Sequence, residues 1–349
     1  MSEPTAAPDD KATADTLAAA GQWLARDGRV ALLTVVDTWG SAPVPVGGQM
    51  VVAVDGRFQG SVSGGCIEGE VITAAAGVLD SGIPQTLSFG VEDATAWSVG
   101  LPCGGQVKVY IERLTGEVGV ALIAAMTAAQ AKRTGLVIET NLATGQRRML
   151  RADTPGLAPD VQQRFRTGKS RYQETPDGPL FTQALLPPAR ILVIGATHIA
   201  QLLCQIARLA HYEVQVIDPR SAFASADRFA GVTVHASWPQ DVLQTIGVDP
   251  YTALVVVAHV AHIDDEALKI ALAAPPGAGY LYVGALGSQR NHAKRTERLL
   301  AAGFTAADIA RIKCPIGLDI GAQSPAEIAI AIMAEVVHAV RGPKAARSQ

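Results

Sequence analysis

The chain has 349 residues, a formal net charge of −3, 48% hydrophobic residues and only 17% charged ones. That composition excludes a disordered chain, which lacks apolar surface to bury, and a strongly basic nucleic-acid-binding domain. The length suits about two domains. Residues 1–15 are polar, acidic and without an apolar segment, which reads as a disordered tail and not as a signal or transit peptide. Leu17, Ala20 and Leu24 recur at helical spacing and predict a helix over 16–27, ended by Gly28. A buried strand over 30–37 follows, then a hairpin turn at Asp55-Gly56 and a helix over 67–79. Alternating Val107, Val109 and Ile111 mark a half-buried strand, and an Ala-rich helix covers 118–131. A hairpin around 141–145 and two short strands about Pro176-Asp177-Gly178 complete an α+β domain over 16–186.

Pro187-Pro188 begins a stiff linker, 187–189, because proline fixes the backbone and donates no hydrogen bond. From 190 to 341, short aliphatic strands alternate with helices at 198–210, 240–246, 264–274, 289–301 and 325–340. Such runs belong to a parallel sheet covered on both faces. The expected fold class is α/β: a Rossmann-like doubly wound C-terminal domain behind a mixed α+β one, with a tail over 342–349. No stretch approaches the ~20 apolar residues of a membrane helix. The cysteines, Cys66, Cys103, Cys204 and Cys314, form no CxxC pair, so neither a zinc knuckle nor a disulfide scaffold is expected. The expectation is a cytoplasmic protein with reduced thiols, engaging neither membrane nor nucleic acid.

Three segments carry chemistry. The first, SVSGGCIEGE, sets Ser63, Gly64, Gly65, Cys66 and Glu68 at the start of a helix. A thiol there gains from the helix dipole, which favours thiolate; the plainer alternative is a small residue buried at a tight turn. LPCGGQ repeats the pattern with Cys103, Gly104 and Gly105. Cys204 reads as core, and Cys314 stays open. The second segment, GATHIA, holds Gly195, Thr197 and His198 at the first strand–helix junction of a dinucleotide fold. Thr197 stands where a second glycine would admit a pyrophosphate. Asp218 ends the next strand as a ribose acceptor, with Arg220 beside it as a phosphate partner. Alternatively, the fold binds nothing at this edge. The third segment places Gly287 and the N-cap Ser288 before a helix bearing Arg290, Lys294 and Arg298, either an anion site or a solvated stripe. His259 and His262 follow the preceding strand, and each reads slightly better as structural.

GSAPVPVGGQM, GSVSGGCIEGEV, SFGVEDATAWSVGLPCGG, GATHIA, YVGALGSQRNHAKR and PIGLDIGAQSPAEIAIAIMAEV together resemble the XdhC/CoxI family. These are accessory proteins of xanthine dehydrogenase and related molybdenum hydroxylases. The segments run in family order from about Gly40 to about Val336. The resemblance implies a chaperone that binds the molybdenum cofactor, as molybdopterin or its dinucleotide form. It protects the cofactor while a cysteine desulfurase supplies sulfur, then hands it to an apo-hydroxylase of the xanthine or aldehyde dehydrogenase type. The expected cofactor-binding groups are those of the three segments, with Cys66 and Cys103 nearest the molybdenum. A homodimer is expected from edge surfaces rich in Ala and Val. The alternative is an NAD(P)-dependent oxidoreductase working through the second domain.

Overall fold

The computed structural model describes residues 10–90, 105–275 and 279–342, and divides into two compact units at Pro187/Pro188. In the first unit, helix α1 (Asp10–Asp27) leads into β1 (Arg29–Trp39), β2 (Gln49–Val52) and β3 (Phe58–Gly60). Helix α2 (Glu68–Ser81), β4 (Gln85–Phe89), β5 (Gln106–Thr115) and α3 (Gly116–Ala131) follow. These strands form one antiparallel sheet in the order β3-β2-β1-β5-β4. Alternation sends Leu33, Val35, Val109 and Ile111 to one face, where they pack under α2 through Val71, Ala75 and Val78. Leu32, Val51 and Leu114 take the other face, against α1 and α3.

A second antiparallel sheet, in the order β7-β6-β9-β8, is built from β6 (Leu136–Asn141), β7 (Arg147–Arg151), β8 (Arg171–Gln173) and β9 (Leu180–Leu185). Val36 and Tyr110 of the first sheet meet Phe181 of the second and Leu142, which follows β6. Helix α4 (Pro159–Thr167) closes the second sheet by burying Val161. Helix α2 is held at both ends. Gly82 stops it in the left-handed conformation, and Arg113 of β5 donates to the carbonyls of Leu79 and Asp80.

Three elements of this unit depart from the sequence expectation. Helix α1 begins at Asp10 instead of Thr16, because residues 10–15 lack the apolar periodicity used to bound it. The short strand β4 and the helix α4 were not expected, since each buries little: α4 has one buried residue and β4 none.

In the second unit, β10 (Arg190–Ile194), α5 (His198–Leu209), β11 (Glu213–Ile217), β12 (Thr233–His235), α6 (Pro239–Ile246) and β13 (Thr252–Val256) alternate as expected. Helix α7 (Ala261–Ala273), β14 (Tyr282–Ala285), α8 (Gln289–Ala301), α9 (Ala306–Ile309), β15 (Ile312–Lys313) and α10 (Pro325–Arg341) complete it. The six strands lie parallel in the order β12-β11-β10-β13-β14-β15, the doubly wound Rossmann order. Helices α5 and α10 cover one face through Leu203, Ala207, Ile332 and Val336. Helices α6 to α9 cover the other through Leu243, Leu268, Leu299 and Ile309. Among the described residues, no helix is long and apolar enough to cross a membrane.

Candidate functional site

The loop before α2 is organised from within. Glu68, the first residue of the helix, turns its carboxylate back over the loop. It accepts from the hydroxyls of Ser61 and Ser63 and from the backbone N–H groups of Val62, Ser63, Gly65 and Ile67. Burial alone would raise this carboxyl, yet the hydroxyls and backbone donors pull it down to about 2. Ser63 is buried, and its Oγ also accepts from the N–H groups of Cys66 and Ile67, 3.0 Å each. Ser63 and Glu68 are therefore loop builders, and neither offers a free polar atom outward. The loop presents the exposed backbone of Gly64 and Gly65, at φ +73° and +109°, and the half-buried Cys66.

Cys103 and Gly104 lie outside the described residues. Their neighbour Gly105 is described, and a Cβ on it would strike the Ser41 carbonyl. A Cβ on Gly64 would stand 3.2 Å from Pro43. Gly64 of the Cys66 loop and Gly105, next to the second Cys/Gly-Gly segment, thus border one stretch, Ser41–Pro43. Among the described residues, no group of three or more His, Cys, Asp or Glu side chains is arranged to hold a metal ion.

The β10–α5 turn in the second unit is closed on itself. Gly195, at φ +104°, is required by packing, since a Cβ there would overlap the Ala258 backbone. Thr197 is the N-cap of α5, its hydroxyl accepting from Ala200 N–H at 3.3 Å, and His198 is exposed. The Ala196 N–H of the turn donates to Asp218 Oδ2 at 2.8 Å, and Arg228 donates to the Ala196 carbonyl. Asp218 is 0% exposed, and Arg220 grips both its oxygens, through Nε at 2.9 Å and Nη2 at 2.6 Å. Burial opposes ionisation of Asp218, but the Arg220 and Ala196 hydrogen bonds hold its carboxyl below the ordinary range. The expected ribose acceptor and phosphate partner are thus spent on each other.

At the head of α8, Ser288 is exposed and caps the helix through Asn291 N–H, with Gly287 before it. Arg290, Lys294 and Arg298 are exposed, and Arg298 forms a bidentate pair with Asp265, at 2.5 and 3.0 Å. Asp265 thus offsets the charge of the third member of the expected basic stripe. His259 is exposed in the left-handed region at φ +59°, and His262 leans on Trp238, its ring centroid 5.8 Å away.

Sequence reasoning missed the buried pair beneath this edge. Arg295 and Asp264 approach to 3.7 Å, and Arg295 also donates to the Leu286 carbonyl and to Cys314 Sγ. Burial, opposed by Arg295, pushes Asp264 up to about 7. The available signal was an acidic pair, Asp264-Asp265, on an otherwise apolar helix face. Cys204 is core as expected, its thiol pushed up to about 12 by burial.

The model of the XdhC Rossmann domain matches residues 191–336, and that of the XdhC and CoxI family matches residues 23–90. Together they span more than half of the chain. The chain belongs to the XdhC/CoxI family. Its relatives include the molybdenum cofactor insertion chaperone PaoD of Escherichia coli, 27% identical over 87% of this chain and 81% of that one. A probable xanthine dehydrogenase subunit of Bacillus subtilis is 26% identical over 88% of this chain and 92% of its own length. A crystal structure described as a xanthine dehydrogenase from Bacillus halodurans shares the fold. It aligns with a TM-score of 0.61 at 24% identity over 98% of both chains.

Proposed function

We propose that this chain is a maturation factor for a molybdenum enzyme. It carries the molybdenum cofactor as cargo, supports its sulfuration with a cysteine desulfurase, and inserts it into a xanthine dehydrogenase-type hydroxylase. The family and the name of the Escherichia coli relative support the class. The 61–68 loop is the observation that carries the reading. Its serines and glutamate are consumed in building it, so Cys66 beside two open glycines is what remains for a ligand. A thiol suits a soft, dithiolene-held metal centre, and Cys103 is proposed as the second such group on the residue pattern alone. In the second unit, Ser288 and Arg290 are the groups proposed for a phosphate. A homodimer in the cytoplasm completes the proposal.

The alternative, an NAD(P)-dependent oxidoreductase, has against it the occupied Asp218 and Ala196 N–H. Co-expression with cofactor biosynthesis, then molybdenum and pterin analysis of the purified chain, tests the class. Stoichiometric pterin with molybdenum is expected, and bound NAD(P) alone would overturn the reading. Cys66→Ala should lose cofactor retention and client activation; retention of both in full would remove Cys66 from the site.

A further inference from the structure

Between the two sheets of the first unit lies a cavity of about 20 Å³, enough for a single water molecule. Its lining is polar where a core would ordinarily be aliphatic. Glu112 of β5 and Arg147 of β7 pair across it, and Gln49 and Tyr110 line it as well. Gln49 is 6% exposed and Tyr110 2%. Three buried polar atoms of this lining have no partner within the protein: Arg147 Nη1, Tyr110 Oη and Gln49 Oε1. Buried polar atoms are rarely left unsatisfied because losing their hydration is costly, so their coincidence around one cavity calls for an occupant.

The donor and acceptor count selects it. Burial raises the Tyr110 hydroxyl above its usual range, so it keeps its proton and can donate. Arg147 Nη1 is a donor only, and Gln49 Oε1 an acceptor. A halide would accept from the first two but would face Gln49 Oε1 and the Glu112 carboxylate. A cation would face the guanidinium. Water accepts twice and donates to the third, making the usual three hydrogen bonds of a buried water. We infer that the sheet interface contains a built site for one water, bound by Arg147, Tyr110 and Gln49.

The site bears on the GGQM segment. Gln49 opens β2 directly after Gly47-Gly48, and the Gly47 carbonyl accepts from Gln183 Nε2 of β9 at 3.4 Å. The water thus joins the second sheet to the point where the 40–48 stretch, which borders Gly64, enters the first. The inference is independent of the cargo proposed above. A crystal of the full chain soaked in bromide tests it. One peak without anomalous signal is expected within hydrogen-bond distance of all three atoms; an anomalous peak, or no peak, overturns the inference. In solution, oxygen-17 water relaxation dispersion should count about one fewer long-lived water in Tyr110→Phe and in Gln49→Leu. An unchanged count in both variants would also overturn it.

Discussion

The Cys66 loop and the Gly195 turn look alike in sequence: glycine, a helix start, and an acidic residue assigned to a ligand. In both, the acid is turned inward, but what remains differs. Glu68 gathers serine hydroxyls and backbone amides, which fixes the loop while leaving a thiol and two glycines at its rim. Asp218 gathers the turn's own amide and an arginine, which leaves neither its carboxylate nor the Ala196 N–H free. An acid beside glycines therefore marks organised backbone, and the ligand-facing group must be found by asking which polar atoms are left over.

The strongest test of that contrast is Gly195→Ala. A methyl against Ala258, in a left-handed backbone, should cost about 2–4 kcal/mol in urea unfolding. Gly65→Ala meets nothing within 4 Å and should show only its backbone strain, so equal losses would break the comparison. Glu68→Gln comes next, at about 2–3 kcal/mol at neutral pH. Because the native Glu68 carboxyl lies near 2 against an ordinary 4.5, its contribution is complete above about 4.5 and is lost as pH falls towards 2. The acid limb of the stability curve should flatten in that variant. Arg220→Ala should cost about 2 kcal/mol, below the about 3–5 of a fully buried pair because Arg220 is 32% exposed. Cys66→Ala should be the mildest for stability, under about 1 kcal/mol by thermal unfolding. A larger loss would make Cys66 a packing residue and remove the asymmetry between the two loops.

The parallel sheet was legible because strands buried on both faces read as aliphatic runs, such as ILVI and ALVV. Helix α4 and strand β4 were not, since the first buries only Val161, with Phe165 partly buried beside it, and the second exposes most of its length. At the site, the right segments were recognised but the roles within them were not. Ser63 and Glu68 look identical to ligand groups until their partners are known. Arg220 stands two residues from Asp218, close enough to chelate it, and that spacing was the readable warning. The Asp264–Arg295 pair joins residues on two helices, so the acidic pair on α7 could flag Asp264 but no local pattern names Arg295 as its partner.

Helix α2 has a mechanical consequence. Fourteen residues make a rod about 21 Å long. One end is riveted by Glu68 to the loop that carries Cys66, the other by Arg113 to β5, whose first residue follows Gly105. Rod and strand thus behave as two sides of a truss. A load applied at Gly64-Gly65 is shared with β5, and Cys66 is held by its backbone N–H, which donates to Ser63 Oγ.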